Sequence, residues 1–123
     1  MATYSLLTNN VSGATQTSYN TASITPAAGS KVYFAFAIRS ADLASVVAET
    51  VTVSGSATTW TQKQRRDYDA SSRMAACLFE GVGAFSASAV TISTVSSRSL
   101  DRCVWAIIQV APDGTLTLVQ SAQ

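Results

Sequence analysis

Histidine is absent from this chain of 123 residues. Without an imidazole there is no Ser-His-Asp or Cys-His catalytic set, no two-histidine zinc site and no histidine that titrates near neutral pH. A serine activated by lysine would need Lys31 or Lys63, the only two lysines, and neither lies in a recognisable motif. We therefore expect a protein that is not an enzyme and that uses no cofactor.

Charged residues are also scarce, at 12% of the chain with a net charge of +1. A surface so poor in charge is weakly protected against association, which favours a protein that works inside an assembly. The alternative is a domain kept soluble by hydroxyl groups, since serine and threonine make up about a quarter of the residues. The one basic cluster, Lys63, Arg65 and Arg66, is too short for a nucleic-acid-binding stripe and fits the solvated end of a strand.

Long apolar segments are missing as well. The first ten residues lack the basic start and apolar stretch of a signal peptide, and the longest apolar run, residues 32–38, is too short to cross a bilayer. We expect synthesis in the cytoplasm, without membrane passage or a membrane partner. In that compartment Cys77 and Cys103 are expected to be reduced, buried small hydrophobes, and a disulfide between them requires that their strands be neighbours.

The few carboxylates do not form an obvious site. Asp67 and Asp69 would share one face of a strand, as the two carboxylates of a glycosidase must, but they lie beside Arg65 and Arg66, which favours an ion-paired hairpin end. A calcium site would need six to eight oxygens, and this segment offers few and lacks the glycine of a calcium loop. We therefore predict neither a catalytic pair nor a metal site.

An alternation of apolar and polar residues with a period of two dominates the rest of the chain. In 31–39 the large apolar residues face one way and small residues face the other, which is typical of a strand packed on its core face and closely covered on its outer face. Segments 58–66 and 102–111 alternate in the same way. The sequence predicts an all-β fold, an antiparallel β-sandwich of jelly-roll type with about eight strands and room for one short helix near 40–48. The predicted core anchors are Phe34, Phe36, Trp60 and Trp105.

Residues 1–12 are predicted to be an N-terminal arm or an edge strand, and residues 13–123 a single β-sandwich domain. Amphipathic aromatic rings and apolar residues near the N-terminus are candidates for contact with other subunits. The predicted interface residues are Tyr4, Leu6, Leu7, Tyr19, Tyr33 and Tyr68. A sugar-binding platform built from the aromatic residues is the alternative, although Trp60 and Trp105 lie inside alternating strands and fit the core better.

Three stretches carry a family resemblance. They are Thr59-Trp60-Thr61 leading through Arg65, Asp67-Tyr68 and Arg73 to Phe79-Glu80-Gly81-Val82-Gly83; Cys103-Val104-Trp105-Ala106-Ile107 leading to Pro112-Asp113-Gly114; and Val119-Gln120-Ser121-Ala122. In this order they resemble β-sandwich domains of tailed-phage virion proteins and related prophage-encoded proteins, over residues 17–123. These motifs are structural, so their specificity is moderate. Domains of this kind are expected to have further strands after the stretch that corresponds to residues 119–122. We therefore expect the sheet of this chain either to be minimal or to be completed by the N-terminal segment of another copy.

The resemblance implies a virion structural protein, most similar to a capsid decoration, or cement, protein of a bacteriophage. Such a protein would lie on the capsid surface, bind the major capsid protein and bridge neighbouring subunits of the head. A homo-oligomer is expected, and a homotrimer is favoured because capsids offer three-fold positions. The alternative function is a tail or fibre module that binds a receptor or a carbohydrate.

Overall fold

The computed structural model describes residues 3–41, 50–56, 58–68, 73–94 and 99–111, and these form eight β-strands and no helix. The helix considered near 40–48 falls almost entirely outside the described residues. The strands are β1 (Tyr4–Ser12), β2 (Ser18–Asn20), β3 (Lys31–Ser40), β4 (Val51–Gly55), β5 (Thr59–Tyr68), β6 (Met74–Val82), β7 (Val90–Thr94) and β8 (Leu100–Val110).

The eight strands form two sheets in which every pairing is antiparallel. The larger sheet has five strands in the order β1-β8-β3-β6-β5, and the smaller sheet has three in the order β2-β7-β4. We call them the large sheet and the small sheet. The prediction of an all-β antiparallel sandwich with about eight strands is confirmed.

The core lies between the two sheets, and the alternation in β3 shows how the sequence builds it. Val32, Phe34, Phe36 and Ile38 all face inward and are nearly or fully buried. Side chains of the flanking strands continue this inner face, with Cys103, Trp105 and Ile107 from β8 and Ala75, Cys77 and Phe79 from β6. Burial of large apolar side chains such as Phe34 stabilises a fold by about 1.5–3 kcal/mol each.

The small sheet closes the core from the other side through Tyr19, Val51, Val90 and Ile92. The ring of Tyr19 lies 6.5 Å from that of Trp105, centroid to centroid, so an aromatic contact joins the two sheets. The Tyr19 hydroxyl lies 2.7 Å from the carbonyl oxygen of Ala14 and 3.0 Å from that of Leu100, and its single proton is shared between these two acceptors. Burial is tolerated because the hydroxyl keeps its hydrogen bonds.

The end of β4 depends on a glycine. Gly55 has a φ of 106°, in the region that favours glycine, and a Cβ at this position would lie 2.3 Å from the carbonyl oxygen of Ala89. The Trp60 indole N–H donates to the Gly55 carbonyl oxygen over 3.1 Å, which connects this corner of the small sheet to β5 of the large sheet. A side chain at position 55 would therefore disturb both sheets.

The N-terminal segment is an edge strand rather than a free arm. Residues Tyr4–Ser12 pair with β8, with Tyr4 opposite Val110 and Ser12 opposite Cys103. The register shifts between Leu6 and Thr8, so β1 contains a bulge at Leu7. An edge strand held in its own sheet thus accounts for this part of the chain.

At the opposite edge, β5 runs further than predicted. The predicted alternating segment ends at Arg66, but Asp67 and Tyr68 still pair with β6, opposite Ala75 and Met74. The Arg65 guanidinium and the Asp67 carboxylate, two residues apart and therefore on the same face, form an ion pair of 3.0 Å. Opposite charges at this spacing suit a strand as well as a turn, so composition alone placed the boundary too early.

Candidate functional site: the outer face of the large sheet

The large hydrophobic side chains that remain exposed share one surface. Strand alternation places every one of them, among the described residues, on the side of the large sheet that faces away from the core. They are Tyr4, Leu6, Val11, Tyr68, Met74, Val82 and Val104. Contiguous exposed apolar surface of this kind marks an interaction site more often than a surface of scattered single residues does. We call this surface the apolar face.

The central strands explain why the surface is apolar. In β8, Cys103, Trp105 and Ile107 face the core, so the intervening Val104, Ala106 and Ile108 must face outward. The strands β3 and β6 likewise carry apolar residues on both sides. Strands that are apolar on both sides are typical of sheets covered on both faces. On this outer face Val104 is 46% exposed, whereas Tyr33 and Val110, toward the other end of their strands, are buried.

The middle of the apolar face is a shallow depression. It has a volume of about 460 Å³, and small side chains from neighbouring strands form much of its floor. These are Ala35, Ala37, Ala76 and Ala106, with Val104 and Asn9 beside them. The depression is open and offers few polar groups, unlike the enclosed pockets with convergent polar groups that bind small molecules. Its shape suits a protruding apolar surface.

Charged side chains lie toward both ends of the apolar face and along β5, whereas β1 carries none. Every charged side chain among the described residues lies in the strands of the large sheet or directly beside them, and none lies in the small sheet. The Arg39 guanidinium binds the Asp101 carboxylate through two hydrogen bonds of 2.7 and 2.8 Å. Hydrogen bonding to Arg39 lowers the pKa of Asp101 despite partial desolvation, so the pair stays ionised at neutral pH.

A second ion pair lies toward the other end of the apolar face. The Lys63 ammonium is 2.9 Å from the Glu80 carboxylate, whose side chain is 16% exposed. The Lys63 ammonium lowers the pKa of Glu80, and the Tyr33 hydroxyl makes a smaller contribution in the same direction. Burial raises the pKa of Tyr33, and the Glu80 carboxylate raises it further. Glu80 is thus already engaged within the protein.

The two edge strands each carry one extra residue. The bulge in β1 places Leu7 against the core. Because of this extra residue, Asn9 and Val11 face outward as Leu6 does, whereas strict alternation from Leu6 would direct them inward. In β5 the register shifts at Lys63, between Gln62 and Gln64. Bulges of this kind twist the edges of a sheet and limit its growth by addition of further strands.

The predicted interface residues separate into three groups. Tyr4, Leu6 and Tyr68 are exposed on the apolar face, Leu7 packs against the core, and Tyr33 lies on the apolar face but is only 9% exposed. The assignment of Tyr19 to an interface is wrong, because its side chain is 1% exposed within the core. Burial raises the pKa of Tyr19 to about 12, and two carbonyl oxygens satisfy its hydroxyl.

Of the predicted core anchors, Phe34, Phe36 and Trp105 lie in the core, and Trp60 is half-buried against it with its ring 6.0 Å from Phe34. Sequence reasoning did not identify Val11, Met74, Val82 and Val104 as exposed residues of the apolar face. The alternation of β8 was a usable signal for Val104. Val11 had none, since its orientation depends on the bulge.

The residues considered for chemistry are occupied elsewhere or separated. Asp67 is bound to Arg65, and Asp69 lies outside the described residues. No cluster of three potential metal ligands occurs in the described part of the chain. Tyr4 and Tyr68 lie on opposite edge strands and at opposite ends of the large sheet, so the four strand spacings alone separate them by at least about 19 Å, too far to form one sugar-binding platform.

The two cysteines are free and buried. Because β3 lies between their strands, their Cα atoms are separated by about 10 Å or more, whereas a disulfide needs about 4.4–6.8 Å. Burial raises the pKa of Cys77 to about 11 and that of Cys103 to about 12, so neither is a reactive thiolate at neutral pH.

Within the described ranges, no helix is long and apolar enough to cross a membrane. Comparison with protein-family models, with curated proteins and with solved structures found no match to this chain.

Proposed function

We propose that this protein is a structural protein that assembles with other protein subunits through the apolar face. The observation that carries the proposal is the gathering of the exposed large hydrophobic side chains on one side of one sheet. Their exposure to water in an isolated domain is unfavourable by about 25 cal/mol per Å² of apolar surface, and contact with a partner would recover part of that free energy.

The dimensions of the apolar face suit a stable interface. Five strands of about ten residues give a surface of about 20 Å by 30 Å, on the order of 600 Å² before side-chain relief is counted. Stable protein interfaces bury about 800 Å² on each partner. A partner that covered most of this one surface would therefore come close to the usual size.

The chemistry of the described residues supports a structural function over catalysis. The thiols are buried between the sheets, and the Asp67, Glu80 and Asp101 carboxylates are each engaged by an arginine or a lysine. The central depression has few polar groups with which to orient a substrate.

We further propose that the assembly is a phage virion, in which the protein decorates the capsid surface and bridges subunits of the major capsid protein. This step depends on the resemblance of segments such as 59–61 and 103–107 to virion β-sandwich domains. The mechanism would be burial of the apolar face against capsid subunits, which adds cohesion to the head. Trimers of the chain would match the three-fold positions of such a shell.

The test is binding to purified capsids of the phage that carries the gene, after the protein has been removed from them. Val104→Glu places a charge at the centre of the apolar face, and we expect it to weaken binding by about a hundredfold or more. Thr52→Glu places the same charge on the outer side of the small sheet and should leave binding unchanged. Both positions are exposed, so both variants should fold.

Capsids with the protein bound should withstand a higher temperature than capsids without it. Equal binding by the Val104→Glu variant and the unmodified protein would disprove assembly through the apolar face. Failure of the unmodified protein to bind the capsids would disprove the decoration role.

A further inference from the structure

We infer that the partner of the apolar face is a protein surface with an apolar centre surrounded by carboxylates, and not a second copy of this chain. The inference rests on the proposed function and adds the chemistry of the partner.

Among the described residues, cations outnumber anions around the apolar face. By strand alternation, or through an ion pair there, the cations are Lys31, Arg39, Lys63, Arg66 and Arg102, and the anions are Glu80 and Asp101. The anions are also the less accessible groups, since Glu80 is 16% exposed beside Lys63 at 44%, and Asp101 is 26% exposed beside Arg39 at 40%. A partner that contacted these described side chains would therefore meet mainly positive charge.

One end of the apolar face shows the imbalance clearly. Arg102 lies directly opposite Arg39 on the neighbouring strand, an arrangement of like charges that is unfavourable by itself. The Asp101 carboxylate forms its two-bond contact with Arg39, and Arg102 remains exposed at the surface. A carboxylate from a partner at this position would complete the pairing and gain a charge-assisted hydrogen bond.

The same charges argue against a second copy as the occupant. Two copies that met through their apolar faces about a two-fold axis would bring positive surroundings against positive surroundings. Juxtaposed like charges disfavour a complex, whereas opposite charges favour it and accelerate association. At the centre, the alanine floor leaves room for a protruding apolar ridge, which a second copy of this shallow surface does not offer.

Two synthetic amphipathic helical peptides test the inference directly. They share one stripe of leucine and valine and differ only in the flanking residues, which are glutamate in one and lysine in the other. We expect the protein to bind the glutamate-flanked peptide at least about tenfold more tightly, with an affinity that falls as salt is raised. Equal binding of both peptides, or binding of neither, would overturn the inference.

Arg102→Glu should weaken binding of the glutamate-flanked peptide by about tenfold. The double variant Thr52→Glu/Ser54→Glu changes the net charge by the same amount on the opposite side of the molecule and should bind like the unmodified protein. Equal weakening by both changes would mean that only net charge matters, and would reject the site.

Sedimentation of the protein alone and flotation with vesicles test the other occupants. Self-association that Val104→Glu abolishes would identify a second copy, and binding to vesicles of phosphatidylcholine and phosphatidylserine would identify a membrane surface; either result rejects the inference. Capsid binding separates it from the proposed function. If Val104→Glu abolishes capsid binding but Arg102→Glu does not, the apolar face is the docking surface and the acidic partner is wrong.

Discussion

The outer faces of the two sheets arise from the same strand alternation but differ in the chemistry of their side chains. On both sheets alternate residues point outward, but on the small sheet these are hydroxyl or amide residues throughout: Ser18, Asn20, Thr52, Ser54, Thr91 and Ser93. On the large sheet the outward residues are apolar at the centre and charged toward the ends. The same strand pattern thus makes one surface suited to water and another suited to a protein partner.

The hydroxyl residues of the small sheet also satisfy one another. Asn20 and Thr91 are cross-strand neighbours, and the Thr91 hydroxyl donates to the Asn20 side-chain oxygen over 2.6 Å. Polar pairs of this kind stabilise a sheet without charge and leave the surface hydrated. The strands of the small sheet therefore contain no charged residue, and the charged side chains of the described residues belong to the large sheet or lie directly beside it.

A glycine substitution should give the largest loss of stability and tests whether the small sheet is needed for the fold. Gly55→Ala would force a Cβ against the Ala89 carbonyl oxygen at a positive φ, and we expect the free energy of unfolding to fall by about 3 kcal/mol. Gly13→Ala is the matched control, because nothing lies within 4 Å of its Cβ position. Urea unfolding measures both, and equal midpoints would contradict the strain assigned to Gly55.

A tyrosine pair compares the interior with the apolar face. Tyr19→Phe removes a buried hydroxyl bonded to the Ala14 and Leu100 carbonyl oxygens, and should reduce the free energy of unfolding by about 1 kcal/mol. Tyr68→Phe changes an exposed residue and should alter it by less than about 0.5 kcal/mol. A larger loss for Tyr68→Phe than for Tyr19→Phe in the same urea titration would reverse the placement of these two side chains.

We expect acid to destabilise the large sheet, because Lys63 and Arg39 lower the pKa values of two of its carboxyl groups in the folded protein. Glu80 and Asp101 have folded-state pKa values below their ordinary values of 4.5 and 3.8. The stability that they contribute is complete above those ordinary values and is lost as the pH falls through the lower folded-state values. Urea midpoints between pH 7 and pH 2 should show the loss, and Glu80→Gln should reduce its size. A midpoint that rises on acidification would contradict both ion pairs.

The smallest change in stability should come from giving the apolar face the chemistry of the small sheet. Val11→Thr with Val104→Thr replaces exposed methyl groups by hydroxyls, and we expect the free energy of unfolding to change by less than about 0.5 kcal/mol. Binding of a hydrophobic dye and light scattering at high concentration should both decrease. The reverse exchange, Thr52→Val with Ser93→Val, should increase both, and an increase from the first exchange would contradict the assignment of the apolar face.

The sequence predicted the parts of the fold that follow from local alternation. In β3 the large residues Phe34 and Phe36 could face only a core, because their outward neighbours are alanines. The face of β8 was harder to assign, since Val104 and Trp105 are both apolar, and only the size of Trp105 favoured it as the inward residue. Propensity and pattern could therefore identify strands and some faces.

The remaining features depend on contacts between distant segments. Nothing near Tyr19 in the sequence shows that the Leu100 carbonyl oxygen, 81 residues away, accepts a hydrogen bond from its hydroxyl, so its burial was missed. The pairing of β1 with β8, and the position of β3 between the two cysteines, are likewise properties of the topology. The apolar face itself was predictable only as a covered outer side of β3, and its extent required the strand order.

The extra residue at Leu7 has a consequence for the evolution of chain length. A strand with a bulge holds one residue in reserve, so a single deletion within 7–10 can be absorbed by straightening the strand while Val11 keeps its outward orientation. The inner strand β8 holds no such reserve between Arg102 and Ile107, and a deletion there would exchange the inward and outward residues along the rest of the strand. Related sequences should accordingly differ in length by one residue in β1 and keep the length between Arg102 and Ile107 fixed.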